Sequence, residues 1–140
     1  MTDLLYFIDQ LIVPFMPSQI FIYEGDNDIK FGRSAEQILL AADSIVSRVR
    51  QKNPKVEIVF ISPKPSLARW KLKPQYLAFN KALKSWTVQK KNVRYADVWT
   101  PMVDSNGMVL QDIFIEDGLH LNKKGYKIWT KALQNYLLKN

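Results

Sequence analysis

The chain contains no cysteine and a single histidine among its 140 residues. The missing thiols exclude disulfide bonds and metal sites built on thiolates. No apolar run is long enough to cross a bilayer, and the start Met1-Thr2-Asp3-Leu4 lacks the basic residues that open a signal peptide. We therefore expect a globular chain with no membrane span. Neither the cytoplasm nor the periplasm is favoured by the sequence.

Acidic residues are outnumbered by basic ones, with 20 Lys+Arg against 13 Asp+Glu and a net charge of +7. A basic balance can indicate nucleic-acid binding. Here, however, the basic residues are dispersed and lie mostly at predicted helix ends and on polar faces, where cations are solvated. We expect no nucleic-acid partner. Binding to duplex DNA that falls steeply with salt would be the evidence for one.

Helical and strand patterns alternate along the chain. Apolar residues at helical spacing predict helices over 3–12, 34–52 and 74–86, and a last helix that Asn122 caps. Its buried face is predicted to comprise Tyr126, Trp129, Leu133, Tyr136 and Leu137. Short apolar runs predict strands over 20–23, 56–61 and 93–96, with turns at 24–28 and 104–107. Strands that alternate with amphipathic helices predict an α/β fold with a parallel sheet between two helical layers.

Two polar segments lie where such a sheet places functional groups. Gly25-Asp26-Asn27-Asp28 follows the first predicted strand, and Asp117-Gly118-Leu119-His120 precedes the last helix. Histidine is the commonest general base near neutral pH, and a carboxylate on its second ring nitrogen fixes the tautomer. Asp117 and His120 therefore form either a catalytic pair or a solvated capping pair.

Together these segments resemble the G-x-N-D and D-x-x-H blocks of the SGNH (GDSL-type) hydrolases. The stretches 121–126 and 61–66 are also similar to that family. The resemblance implies a three-layer, flavodoxin-like SGNH fold and hydrolysis of a small acyl ester through serine acyl transfer, without cofactor or metal. It implies that His120 is the general base, Asp117 its orienting carboxylate and Asn27 an oxyanion donor. Gly25 would belong to the substrate-binding loop.

The family's G-D-S block, which carries the nucleophilic serine, is absent from this sequence. We therefore expect a single SGNH-like domain over 1–140 that is amino-terminally incomplete, lacks the first strands and is inactive alone. Ser44 falls inside a predicted helix, and nothing aligns Ser62 or Ser66 with His120. The alternative function is a catalytically silent binding or assembly module that keeps the same fold.

The strand at 20–23 has no predicted neighbour on one side. In the family's strand order 2-1-3-4-5 it would pair with the absent first strand. Ile20, Phe21 and Ile22 make an apolar edge without lysine or proline, and such edges promote pairing with another chain. We expect a homodimer through this edge.

Overall fold

The computed structural model describes residues 1–138. Three strands and five helices alternate in the order α1 Thr2–Leu11, β1 Gln19–Tyr23, α2 Asp26–Lys30, α3 Ala35–Lys52, β2 Glu57–Ile61, α4 Lys73–Val88, β3 Val93–Ala96 and α5 Lys123–Leu133. The strands form a parallel sheet in the order β1-β2-β3, which confirms the α/β class. No helix within these described residues is long and apolar enough to cross a membrane.

Helices cover both faces of the sheet. On one face, Ile22 and Phe60, which are paired in register, pack with buried residues of α1, α3 and α4. On the other face, Phe21 and Val59 pack with Trp129 of α5. This is the three-layer arrangement that the alternating pattern predicts, and it leaves β1 at an edge of the sheet.

Local sequence signals set the helix starts. Ser34 caps α3 through a capping box with Gln37. Pro74 lies in the first turn of α4, where its missing N–H is tolerated. The Asn122 side chain accepts hydrogen bonds from the backbone N–H groups of Lys124 and Gly125 and so caps α5. The chain enters α5 directly from the turn that holds His120.

The structure corrects two details of the predicted pattern. Residues 24–28 are not all turn, because Asp26 opens the short helix α2 after Gly25. Tyr126 and Leu137 are both 58% exposed and do not belong to the buried face of α5. At the start of α5 the inward position is taken by Gly125, and the helix ends at Leu133, so Leu137 no longer follows helical spacing.

Candidate active site

A cleft of about 450 Å³ lies at the carboxyl ends of the strands. Segments after β1 and β2 and the turn before α5 supply its lining, which consists of Tyr23, Glu24, Asp26, Asn27, Lys64, Arg69, Leu119 and His120. The structure therefore brings Asn27 and His120 to one cleft, although they are far apart in the sequence. Ligands of open parallel sheets bind at this end of the strands.

The side chains of Asp117 and His120 are hydrogen bonded. His120 Nδ1 lies 2.5 Å from Asp117 Oδ2, and Asp117 Oδ1 accepts the backbone N–H groups of Leu119 and His120 at 2.8 and 2.9 Å. The side-chain hydrogen bond from His120, followed by the two backbone bonds, lowers the pKa of Asp117 to about 2. An ionised carboxylate only accepts, so Nδ1 carries the proton and Nε2 is left as the basic nitrogen.

This lowered pKa has a direct consequence for pH dependence. A carboxyl group whose pKa is lower in the folded than in the unfolded state stabilises the fold above its ordinary value, here 3.8. That contribution is lost as the pH falls through about 2. Asp117 is consequently ionised throughout the pH range in which histidine titrates.

Backbone contacts hold the 117–120 turn in place. Gly118 has a φ of 62°, a conformation that glycine adopts without strain. Its carbonyl oxygen accepts the N–H of Ala68 at 3.1 Å, and the carbonyl oxygen of Leu119 accepts Lys64 Nζ at 2.7 Å. The turn that carries His120 is thus tied to the loop after β2.

Arg69 fixes the orientation of the Asn27 amide. Arg69 Nη1 donates to Asp26 Oδ1 at 2.7 Å, and Nη2 donates to Asn27 Oδ1 at 3.0 Å. A guanidinium group only donates, so the amide oxygen of Asn27 must face Arg69 and the amide nitrogen must point away from it. Asp26 also accepts the hydroxyl of Tyr76, whose pKa is raised by burial and by the contact with Asp26.

Gly25 lies beneath the cleft and does not line it. Its φ is 106°, and an added Cβ would lie 2.9 Å from Cε1 of Phe79. Both the backbone conformation and the space require glycine here. Asp28 is also withdrawn from the cleft, because it is buried and accepts the amino group of Met1 at 2.8 Å.

The sequence of this region also matches a known family. The model of the GDSL-like lipase/acylhydrolase family matches residues 3–128. The chain belongs to this family. Among curated protein sequences, none matches the chain significantly.

Solved structures of similar fold come from several organisms. A Streptococcus pneumonia protein described as a platelet activating factor shares 24% identity, with a TM-score of 0.77 over 86% of this chain and 60% of its own. A G-D-S-L family lipolytic protein from Desulfitobacterium hafniense shares 18%, with a TM-score of 0.80 over 97% and 74% of the two chains. A carbohydrate esterase of family 3 from Talaromyces cellulolyticus shares 21%, with a TM-score of 0.76 over 94% and 65%. The chain spans less than two thirds of the first and third of these proteins. At such identities the likeness concerns the fold.

Serine, the nucleophile for which the GDSL family is known, does not line the cleft within residues 1–138. Ser44 lies in α3 and donates its hydroxyl to the carbonyl of Leu40 at 3.0 Å. Ser62 is buried and accepts the N–H of Val98 at 2.9 Å, and Ser66 is also buried. The same described part of the chain contains no cluster of three carboxylate or imidazole side chains arranged for a metal ion.

Sequence reasoning missed Lys64 and Arg69. Lys64 follows β2 at the same rim as Asn27 after β1, so its position in the loop could have suggested it. Arg69 lies in an irregular segment before the 3-10 turn at Trp70–Leu72, where no periodic pattern indicates its direction. Only the folded chain shows that it contacts Asn27.

Proposed function

We propose that the chain carries the acid–base and oxyanion groups of a serine ester hydrolase that acts on small acyl esters. In this proposal His120 is the general base, Asp117 orients it, and Asn27 Nδ2 binds the oxyanion. Gly25 serves the substrate-binding loop through its backbone, since its positive φ directs the chain from β1 into the helix that begins with Asn27. The observation that carries the proposal is the 2.5 Å bond between Asp117 and His120 at the cleft that Asn27 also lines.

The reaction is acyl transfer in two steps. A serine hydroxyl attacks the ester carbonyl, His120 Nε2 takes its proton, and the leaving alcohol receives that proton as the C–O bond breaks. Water then repeats the sequence on the acyl-serine and releases a carboxylic acid. Asp117 remains ionised and stabilises the imidazolium in both steps. One preorganised donor to the oxyanion, here Asn27, is worth ~3 kcal/mol of the barrier. No cofactor or metal is needed.

The nucleophile in this proposal comes from outside the 140 residues. The hydroxyl groups of Ser44 and Ser62 are engaged with backbone groups in the helix and the buried loop. His120 is 70% exposed, so its side chain is open to a group that approaches from elsewhere. Residues 1–140 would then form one SGNH-like domain whose site is incomplete by itself.

A binding or assembly module is the second candidate. The observation that favours it is the same lack of a serine along the cleft in the described residues. The cleft would then hold a ligand without changing it, and His120 would serve only as a polar contact. The two candidates differ in whether His120 accelerates a reaction.

A small alcohol can test this, because it can take the place of the serine. The chain alone should hydrolyse p-nitrophenyl acetate no faster than His120→Ala and should not react with a fluorophosphonate probe. With methanol added, it should form methyl acetate about tenfold faster than His120→Ala, since a positioned general base contributes about 10² to 10⁴ and a diffusing alcohol recovers only part of that. Lys123→Ala, at an exposed lysine close to the turn, is the matched control and should behave as the wild type.

Equal yields of methyl acetate from the wild type and His120→Ala would reject the catalytic role and leave the binding module. Stoichiometric fluorophosphonate labelling of a serine, lost in His120→Ala, would show instead that the nucleophile lies within the chain.

We also propose that the chain forms a homodimer through the edge near Ile20, Phe21 and Ile22. Ile20 and Ile22 are buried under α1, so the side chains that the edge region offers a partner come mainly from the amino-terminal segment. Tyr6 is 80% exposed and Phe15 is 73% exposed. Exposed apolar patches of this kind mark interfaces, and an unpaired strand edge invites a second strand.

Light scattering after size exclusion at micromolar concentration tests the dimer. We expect twice the 16.3 kDa of one chain. Tyr6→Lys combined with Phe15→Lys should shift the mass towards the monomer. Val88→Lys, at an 82% exposed position on α4, should not. A folded wild-type monomer would contradict the proposal.

A further inference from the structure

Lys64 is a buried cation at the cleft to which the proposed reaction assigns no role. It lies in the loop after β2 between Pro63 and Pro65, is only 7% exposed, and donates from Nζ to the carbonyl oxygen of Leu119 at 2.7 Å. An ammonium group has three N–H donors, so two remain beside the cleft that Lys64 lines. Burial lowers the pKa of Lys64, and Arg69 acts in the same direction, whereas the charges of Asp26 and Asp117 raise it.

The carboxylates around the cleft are already engaged with other cations. Asp26 is paired with Arg69, Glu24 with the amino group of Met1, and Asp117 with His120. Among residues 1–138, no carboxylate forms an ion pair with Lys64; its hydrogen bond goes to a neutral carbonyl. A buried charge without a counter-charge is unfavourable, and an anion that enters the cleft would compensate it.

The neighbouring groups at the cleft are also donors. The amide nitrogen of Asn27 points away from Arg69, because the amide oxygen is held there. It lines the same cleft as Lys64 and the imidazole of His120. A planar pair of anionic oxygens can accept from an ammonium and an amide together, and such charge-assisted bonds are the stronger ones.

We infer that this cleft binds the carboxylate group of a small carboxylic acid, with the ammonium of Lys64 as its counter-ion and Asn27 Nδ2 as a second donor. This rests on the proposed function in one respect, since a carboxylic acid is the product of ester hydrolysis. The binding itself requires neither a serine nor the basicity of His120. A cleft that binds the acid retains affinity for the acyl half of its ester when the nucleophile is not in the chain.

Titration of the full chain with sodium acetate, followed by ¹⁵N NMR against sodium chloride at equal ionic strength, tests the inference. We expect saturable shifts at the Asn27 side-chain amide and at the backbone amides of Leu119 and His120. Lys64→Gln should weaken acetate binding at least about tenfold, the effect of losing one charge-assisted hydrogen bond. Lys71→Gln, at an exposed lysine near the cleft loop, should bind as the wild type does.

A merely structural role for Lys64, as a brace for the 117–120 turn, predicts a different result. Acetate would then bind equally to the wild type and to a folded Lys64→Gln, or the wild type would show no saturable shift, and either outcome overturns the inference. Inorganic phosphate that binds more tightly than acetate would also contradict the choice of a carboxylate. If Lys64→Gln does not fold, the wild type still decides, because saturating acetate must raise the pKa of Lys64 measured at its side-chain Nζ. An unchanged pKa rejects the contact.

His120→Ala separates this inference from the proposed catalysis. It should abolish the methanol-dependent reaction but leave acetate affinity within about threefold, since it removes at most one neutral hydrogen bond. A wild type that binds acetate but shows no such reaction would reject the catalytic proposal alone. A wild type that catalyses without binding acetate would reject the Lys64 site alone.

Discussion

A nucleophilic serine supplied in trans is expected to raise the esterase rate of the chain at least about 10³-fold, within the range that a positioned base and covalent catalysis provide together. The source would be a co-expressed segment that carries the first strand and the G-D-S block of a GDSL-family protein. The β1 edge is the place where the family's first strand would pair, and strand addition provides backbone hydrogen bonds along its length. The base is ready, because His120 and Asp117 are already bonded at 2.5 Å.

The rate of p-nitrophenyl acetate hydrolysis by the co-purified complex measures this effect. The matched control is the same segment with its serine replaced by alanine, which should bind equally well and give no gain. His120→Ala in the complex should return the rate to that of the chain alone. A segment that co-purifies, labels with fluorophosphonate and yet leaves His120→Ala as active as the wild type would reject His120 as the base.

Replacing Gly125 by alanine should lower the free energy of unfolding by about 3 kcal/mol, the upper end of what overpacking costs. An added Cβ would lie 2.5 Å from the carbonyl oxygen of Ile113 and 2.9 Å from Cδ2 of Leu121. The nearest of these atoms is backbone, so the overlap is relieved only if α5 moves away from the loop it packs on. That loop ends in the turn with Asp117 and His120, and we expect the cleft to be disturbed with it.

Urea unfolding measures the loss, and Gly32→Ala provides the comparison. Gly32 has a φ of 79° and no atom within 4 Å of an added Cβ, so alanine there introduces backbone strain without overlap. That strain costs about 1 to 2 kcal/mol. A Gly125→Ala chain as stable as the wild type would mean that α5 is free to shift, contrary to the packing described.

Where the local sequence decides the outcome, the fold was predictable. The capping box of Ser34 and Gln37 and the cap at Asn122 depend on neighbouring residues alone, and the structure contains both. The shared cleft of Asn27 and His120 was also predictable, because parallel strands deliver their carboxyl ends to one rim. Tyr126 failed because its burial depends on how α5 meets the loop at Ile113. Lys64 and Arg69 failed because a long side chain has many rotamers, and only tertiary contacts select one.

The backing of the two rim loops by α4 separates the inheritance of the site from that of the nucleophile. Phe79 lies under Gly25, and Asn80, from the same helix, donates to the carbonyl oxygen of Pro63 beside Lys64. One helix therefore sets the distance between the loop with Asn27 and the loop with Lys64, without help from the strand that bears serine in the family. Gene fission or duplication could divide such a domain at this point. The fragment with α4 would keep a shaped, charged recess on which selection could act for a new ligand.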